Sequence, residues 1–510
     1  MGCGAGDPGR AVVTEAPASY WLTRFVFLRL LGFVYFFAFL CALGQFLPLV
    51  GEHGLLPAPA FLEAVRDARG GGAAWMLPTL FWLDASDTAM RAVIWAGLAL
   101  SLALVCGLAN VPSLAALWLL YTSLVHVGQI FYGYGWEILL LEAGFLAIFM
   151  APLWRAGPFP ERSPTPEIVV WLLRWLVFRV MFGAGLIKLR GDPCWRDLTC
   201  LVYHYETQPI PNPLSWYFHH LPGWFHAAEV LFNHVVELAL PWLVFGPRRA
   251  RHAAGVLLVA FQLLLIMSGN LSFLNWLTLA VCIPCFDDRL LARLVPARLA
   301  ARAEALRDHE LSRSRFSATA ALAVVVGLLS LNPVANMLSP GQIMNTSFDP
   351  LHLVNTYGAF GSVGRVRHEV VLQGTLDPRP DASARWFDYE LPCKPGDVER
   401  APCVTSPYHR RLDWQMWFAA MSDAEREPWL IRVVDKLLQG DAGTLSLFAS
   451  GRLPAQPPRF VRAELFRYEF TRPGEGPAWW RRKHVRSYLP ALSADDPALR
   501  NLAAAYGEPR

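Results

Sequence analysis

Several ionisable side chains lie inside long apolar runs, and these residues could do chemistry. Lys188 follows the small residues of 183–185, and His234 and Glu237 share the apolar run 229–245. A charge at membrane depth costs a few kcal/mol, so it indicates either an ion pair between helices or a polar cavity. Lys188 could serve as a base if it is buried, or extend its ammonium to the membrane interface.

A second pair of charges lies further back in the chain. Glu142 and Arg179 belong to neighbouring apolar runs, so they could neutralise each other if the two helices pack together. The same charges could instead line a cavity that binds a ligand. Both readings stay open on the sequence alone.

The segment 195–226 is rich in histidine and aromatic residues, and His204 lies in it. Trp and Tyr anchor chains at the membrane–water interface. His204 with Glu206, or His219 with His220, could contact a metal ion, but the spacing fixes no third ligand. The sequence therefore predicts no metal site, and no motif in it predicts a cofactor.

The cysteines form two close pairs outside the apolar runs. Cys194 and Cys200 are one pair, and Cys393 and Cys403 are the other. Both pairs fall in segments expected on the oxidising side of a membrane, so we predict two local disulfides, with free thiols as the alternative.

An aromatic group near residue 415 could contact other molecules. Trp414, Trp417 and Phe418 recur at helical spacing. Such a stripe is typical of a packed core, and the alternative is an exposed patch that grips a client protein or the bilayer surface. The glycines at 358, 361 and 364 lack the spacing of a dinucleotide site and indicate a turn or bulge of a strand.

The composition shows what positions these residues. The chain of 510 residues is 54% hydrophobic and 17% charged, whereas soluble domains carry about 25% charge. This excludes a disordered chain and disfavours a soluble enzyme, and the net charge of +4 gives no reason to expect a nucleic-acid partner. Runs of roughly 20 apolar residues predict membrane helices. About nine are found, at 25–49, 89–108, 112–130, 137–153, 168–188, 229–245, 253–269, 271–286 and 316–338.

Arginine placement predicts the orientation of these helices. Basic loops face the cytoplasm, and arginines crowd 248–251 and 289–315. Counting spans from those loops puts the N terminus inside and everything after residue 340 outside. We therefore divide the chain into a cytoplasmic tail at 1–24, a transmembrane helical domain at 25–339, and an extracytoplasmic domain at 340–510.

The extracytoplasmic domain has a mixed α/β or β-rich pattern. Strands are predicted at 367–375, 385–391 and 459–471, and in the last of these Val461, Ala463 and Leu465 alternate with polar residues until the pattern slips near Phe466. Helices are predicted at 412–421 and 428–438, the second with a proline at its first position. The fold class is thus an α-helical multi-pass membrane bundle followed by a smaller domain that contains a sheet.

The sequence resembles the lipase maturation factor family. The similarity is carried by the motifs WEILLLEAGFLAIF, RVMFGAGLIKLRGDPCWRDLTCLVYHYETQPIPNP, NTYGAFGSVG, ELPCKPGD and SPYHRRLDWQMWFAAM, at 136–149, 179–213, 355–364, 390–397 and 406–421. The resemblance implies a multi-pass protein of the endoplasmic reticulum membrane that assists the folding and assembly of secreted homodimeric lipases. If the chain comes from a bacterium, the expected location is instead the cytoplasmic (inner) membrane.

The membrane half also resembles the membrane domain of vitamin K-dependent gamma-carboxylase, through the first spans, HGLLP at 53–57 and AGLIKL at 184–189. That likeness implies an alternative: a membrane-embedded enzyme for a lipid- or quinone-like ligand, with Lys188 as the base. Its cavity would also hold Glu142, Arg179, His204 and His234.

The leading hypothesis is a non-enzymatic maturation factor with secreted client proteins and membrane lipid as partners. Trp414, Trp417 and Phe418 are its candidate client contacts. Binding of unfolded chain through apolar surface requires no catalytic constellation.

Overall fold

Helices dominate the structure, a computed structural model that describes residues 18–161, 163–449, 453–497 and 499. Most of the predicted cytoplasmic tail, residues 1–17, lies outside the described residues. The helices up to residue 338 are α1 (Trp21–Val50), α2 (Ala58–Arg69), α3 (Ala73–Met76), α4 (Asp87–Val105), α5 (Val111–Val127), α6 (Gly135–Met150), α7 (Glu167–Arg190), α8 (Pro193–Arg196), α9 (Cys200–Thr207), α10 (Pro213–His219), α11 (Gly223–His234), α12 (Leu240–Leu243), α13 (Arg248–Ser268), α14 (Leu274–Cys282), α15 (Asp288–Leu291), α16 (Ala297–Ala305), α17 (Arg313–Leu329) and α18 (Leu331–Leu338).

Five helical segments are long and apolar enough to cross a membrane: α1, α4, α7, α13 and the continuous pair α17–α18. They coincide with five of the predicted spans. Two further apolar helices, α5 and the segment that starts at α14, are shorter. An integral membrane protein is therefore supported, whereas the remaining crossings, the total of nine spans and the orientation stay predictions.

The first helix begins at Trp21, inside the segment predicted as tail, because a distant residue caps it. The backbone N–H groups of Trp21 and Leu22 donate to the two carboxylate oxygens of Asp288, at 2.9 and 2.8 Å. A carboxylate at a helix N-terminus satisfies otherwise unpaired donors and complements the helix dipole. The segment around α15 is thereby fastened to the start of α1.

The basic segments meet at this same end of the bundle. The guanidinium of Arg24 donates to the carbonyl of Ser163 at 2.7 Å, and Arg315 donates to the hydroxyl of Ser163. Buried guanidinium groups need such acceptors, since an unpaired charge away from water is costly. The start of α1, the connector before α7 and the start of α17 thus lie together.

The C-terminal segment contacts the opposite end of α1. Gln45 donates to the carbonyl of His409 at 2.7 Å, near the end of that helix. A helix of 30 residues is roughly 45 Å long. The basic end and the C-terminal segment are therefore separated by about the thickness of a bilayer.

The C-terminal segment contains a four-stranded antiparallel sheet in the order β2-β1-β3-β4. Its strands are β1 (Arg367–Thr375), β2 (Phe387–Asp388), β3 (Phe460–Phe470) and β4 (Trp480–Ser493), and its helices are α19 (Arg411–Ala419), α20 (Pro428–Leu438) and α21 (Ala442–Leu445). The predicted sheet is confirmed, but β2 is shorter than predicted and β4 was not predicted.

Sheet and bundle share one apolar core. Buried residues of α1, α5 and α6 belong to the same packed cluster as Leu412, Leu430 and Val461 of the C-terminal segment. Arg411, which is fully buried, pairs with Glu137 of α6 at 2.8 Å. The described part of the C-terminal segment is consequently docked on the helices, and its predicted status as a separate domain beginning at 340 stays a prediction.

Candidate functional site

A cavity of about 470 Å³ lies where the helical bundle meets the C-terminal segment. Its walls come from α6, α7, α9, α11, α13 and α14, from the loop 344–364, and from α19. Pockets that bind small molecules commonly have about 300–1,000 Å³ and mainly apolar walls with a few polar groups. This cavity has both features, so it is the candidate site.

Three buried side chains form the polar end of the cavity. Lys188 of α7 donates to Glu237 at 2.5 Å and to the side-chain oxygen of Asn233 at 3.1 Å. The amide of Asn233 in turn donates to the second carboxylate oxygen of Glu237 at 3.0 Å. The three groups close a ring of hydrogen bonds, and the two formal charges cancel.

A π-helical turn and a glycine bring this ring together. Residues Val235–Ala239 form the π turn between α11 and α12, and such turns are frequent at functional sites. A Cβ on Gly185 would lie 2.7 Å from a methyl carbon of Leu238. The missing side chain therefore allows the π turn to approach α7, which sets Glu237 beside Lys188.

His204 borders the same polar end without a hydrogen bond. Its side chain is 8% exposed, and its ring packs against Tyr205 and Phe360. Within the described residues, no group accepts from or donates to its nitrogens. Burial, and secondarily the nearby Lys188 cation, lower the pKa of His204 to about 4. The imidazole is thus neutral at pH 7, with one donor and one acceptor available.

The glycine-rich loop 358–364 lies over the end of α7. A Cβ on Gly358 would approach a methyl carbon of Ile187 to 3.2 Å. The carbonyl of Gly361 accepts from the N–H of Asp192 at 2.8 Å. The prediction of a strand turn or bulge was wrong: the glycines allow close contact between a loop and a helix, and this loop forms one wall of the cavity.

The three aromatic candidates also line the cavity, with different exposure, and we call this part of the lining the aromatic wall. Trp414 is 5% exposed and packs against Tyr134 and Trp136. Trp417 is half-buried, and its indole N–H donates to the carbonyl of Thr207 at 3.0 Å. Phe418 is 39% exposed. Of the three, Trp414 is a core residue and Phe418 is the most accessible.

Of the two readings that the sequence left open for Glu142 and Arg179, the structure shows the ion pair. The two side chains form an ion pair between α6 and α7, and both are almost fully buried. Tyr357 donates to the same carboxylate at 2.7 Å, and the backbone N–H of Asn355 does so at 3.1 Å. The pair therefore joins two helices and the C-terminal segment.

Only part of the alternative catalytic set comes together. Lys188 and His204 line the cavity, whereas Glu142, Arg179 and His234 are not among its lining residues. His234 donates instead to the carbonyl of Trp195 at 2.9 Å. The expectation that all five surround one cavity was wrong, because the π turn and the packing of α6 against α7 give three of them other partners.

Both predicted disulfides are present. Cys194 bonds to Cys200 and Cys393 to Cys403, with Cα–Cα distances of 4.8 and 5.3 Å. Asp192 lies beside the first pair and could complete a set of three metal ligands. Its carboxylate is instead bound by Arg365, which lowers the pKa of Asp192 to about 2, and the two sulfurs are bonded to each other. The geometry therefore favours a structural role for the Cys194–Cys200 pair over metal binding.

Several contributors to the site were not predicted as site residues. Asn233 completes the polar ring, and Asn355 and Tyr357 complete the Glu142 cluster. Asn233 lies four positions before Glu237, which in a regular helix puts both on one face. That spacing was a usable signal, whereas nothing in the sequence connects residue 142 with residue 357.

Comparison with known families identifies both parts of the chain. Residues 22–293 match the model described as "Lipase maturation factor transmembrane domain", and residues 353–490 match "Lipase maturation factor C-terminal domain". These matches give no support to the gamma-carboxylase alternative.

Individual relatives match over almost the whole chain. "Lipase maturation factor 1" of Bos taurus is 48% identical, over 97% of this chain and 95% of the relative. "Lipase maturation factor 1" of Homo sapiens is 48% identical, over 94% and 89%. "Lipase maturation factor 2" of Homo sapiens is 32% identical, over 95% and 85%. No solved structure matches the chain, and the relatives give no support to a bacterial membrane location.

Proposed function

Because the chain belongs to the lipase maturation factor family, we propose that it acts as a membrane-bound maturation factor for secreted lipases. The observation that carries this function is the near-complete, high-identity match to "Lipase maturation factor 1". The finer parts of the proposal are residence in the endoplasmic reticulum membrane, help with folding and assembly of homodimeric lipases, and an orientation with the C-terminal segment in the lumen.

The proposed orientation is supported by where the basic segments lie. Arg24 and Arg315 meet at Ser163 near the start of α1, and basic loops remain cytoplasmic. The sheet contacts the other end of α1, through pairs such as Gln45 and His409. Both disulfides also fall on the proposed lumenal side, where thiols are oxidised.

We place the proposed client contact at the accessible end of the aromatic wall. Phe418 and Met421 are 39% and 60% exposed, and both border the cavity. Trp417 flanks them, and Trp414 supports the wall from the core. Exposed apolar groups of this kind suit a client that has not yet buried its own apolar side chains. Membrane lipid is the proposed partner of the exposed apolar faces of α13 and α17.

The function is tested by complementation. Cells that lack their own lipase maturation factors would receive this chain and a secreted homodimeric lipase. We expect lipase activity per unit of secreted protein to rise well above the level without the chain. Equal activity with and without the chain, at normal expression and membrane integration, would contradict the proposal.

The client contact is tested with matched substitutions in the same cells. Phe418→Ser combined with Met421→Ser should reduce lipase maturation several-fold without lowering the amount of the factor. Val404→Ser is the control, because Val404 is 76% exposed in the same segment and does not line the cavity. If both variants behave like the unaltered chain, the contact lies elsewhere, although the maturation function could still stand.

A further inference from the structure

The polar end of the cavity selects against charged ligands. Lys188 and Glu237 already neutralise each other, and Asn233 bridges them. The Glu237 carboxylate would repel an anionic group bound here, and the Lys188 ammonium would repel a cationic one. Burying an uncompensated charge is much more costly than burying a hydrogen-bonded neutral group. Glu229, a second carboxylate of the lining, accepts from the Tyr205 hydroxyl at 2.9 Å and lies 3.4 Å from the His226 ring. Because the ionised groups of the lining already have polar partners, the cavity favours an uncharged occupant.

The same end has unused hydrogen-bonding capacity. An ammonium has three donors, and Lys188 uses two of them, on Glu237 and Asn233. The ammonium also lies 5.1 Å from the centre of the Trp195 ring. His204 is more than nine-tenths buried and has no hydrogen bond within the described part of the chain. A buried polar group without a partner calls for an explanation, and a bound ligand supplies one.

The rest of the cavity is mainly apolar and reaches the outer surface of the bundle. Leu139, Met181 and Phe261 line its interior. Leu264, on the membrane helix α13, also lines it and is 45% exposed. The cavity thus meets the outer surface of a helix that is apolar enough to contact hydrocarbon.

We propose that the cavity binds an uncharged membrane amphiphile. Its hydroxyl or carbonyl group hydrogen-bonds with Lys188 and His204, and its hydrocarbon part contacts the apolar walls. The amphiphile enters from the bilayer beside Leu264. This inference goes beyond the proposed maturation function and does not depend on it.

The charge selectivity is tested with two photoreactive probes of equal chain length. The full-length protein in phosphatidylcholine nanodiscs would be irradiated with a diazirine monoacylglycerol or with the corresponding lysophosphatidic acid, which differs only by its phosphate. We expect labelled peptides from α13, α14 and α19, with at least about tenfold less labelling by the charged probe. Equal labelling by both probes, or labelling only outside the cavity, would overturn the proposal.

Matched substitutions on α13 test the location. Leu265 lines the cavity, whereas Leu263 of the same helix does not line it and is exposed. Leu265→Trp should reduce monoacylglycerol labelling at least about fivefold by filling space, and Leu263→Trp should leave it unchanged. Unaltered labelling of Leu265→Trp would contradict the location. Size-exclusion and thermal unfolding would show that both variants fold.

Two more measurements keep the test decisive if Leu265→Trp fails to fold. His204→Leu removes the unpaired polar group at low steric cost, and it should reduce labelling by the monoacylglycerol probe several-fold. A photoreactive benzoylphenylalanine at position 265 should form adducts of lipid mass. Adducts of protein mass would identify a polypeptide occupant and overturn the proposal. Because no lipase is present, failure here leaves the maturation function intact.

Discussion

Glu142 is a single carboxylate that holds three parts of the chain together. It pairs with Arg179 and accepts hydrogen bonds from Tyr357 and Asn355. Removing one partner of a buried ion pair leaves an uncompensated charge, which costs about 3–5 kcal/mol. Glu142→Gln should therefore lower the free energy of unfolding by about that amount, measured by thermal or denaturant unfolding in detergent.

The control for Glu142 is a solvent-exposed ion pair in the same molecule. Glu161 and Arg302 lie 3.4 Å apart, and both side chains are more than half exposed. Exposed pairs contribute about 0–1 kcal/mol, so Glu161→Gln should leave stability almost unchanged. Equal effects of the two substitutions would show that the Glu142 cluster does not hold the fold.

His204 should make the stability of the folded protein depend on pH. Burial and the Lys188 cation hold its pKa at about 4 in the folded protein, against an ordinary value of 6.5. Between these values the unfolded chain binds a proton that the folded chain does not. Stability is therefore complete above pH 6.5 and falls as the pH drops toward 4. Melting temperatures of the protein and of His204→Gln, measured from pH 7.5 to 4.5, should diverge in this interval.

The His204 comparison isolates one group, since other histidines titrate alike in both proteins. We expect the unsubstituted chain to lose more stability on acidification than His204→Gln does. Parallel melting curves over the whole interval would mean that the ring is not held neutral by burial. A steeper loss in His204→Gln would reverse the sign and contradict the structure.

At the scale of elements, the disulfide Cys393–Cys403 positions the start of the aromatic wall. The backbone N–H groups of Cys393 and Lys394 both donate to Asp413 of α19 at 2.8 Å. A disulfide across a loop of this length contributes about 2–3 kcal/mol. Replacing both cysteines with serine should lower the unfolding free energy by about that amount and loosen α19, which proteolysis at limiting enzyme would detect.

Cys106→Ser is the control for that double substitution. Cys106 is a free, exposed cysteine, so its replacement should change neither unfolding nor proteolysis. If neither the double substitution nor reduction of the unsubstituted protein changes the unfolding free energy, the disulfide does not stabilise the segment.

Elements with a strong local pattern were predicted accurately. β1 and α20 have the predicted bounds. The strand contains Val370 and Val371, whose β-branched side chains favour extended backbone, and a proline at the first position defines the start of the helix. β4 was missed, since residues 481–487 are exposed and mostly basic, and only pairing with β3 makes them a strand. The π turn at Val235–Ala239 was not predicted either; it packs against Gly185 of α7 and precedes Pro241, which lacks the N–H of a regular helix.

At the scale of the whole molecule, the cavity could not be predicted because distant segments create it. Lys188 was singled out from its sequence context, but its partner Glu237 is 49 residues away. The buried pair of Arg411 and Glu137 spans 274 residues. Composition and arginine counts predicted a membrane bundle with a sheet-containing segment, whereas the joint core of the two depends on packing that no local pattern encodes.

Two positions test the orientation of the whole chain. Cys106 is exposed at the end of α4, on the side that the arginine count assigns to the cytoplasm. Ser383 is exposed in the C-terminal segment, so Ser383→Cys reports the other side. In sealed microsomes of a Cys3→Ser background, a membrane-impermeant maleimide should modify Cys106 at once. It should reach Ser383→Cys only after detergent is added. Modification of Ser383→Cys in intact vesicles would put the sheet in the cytoplasm, where it could not meet a secreted lipase. The arginines near Ser163 would then face the lumen, against the charge rule that orients membrane helices.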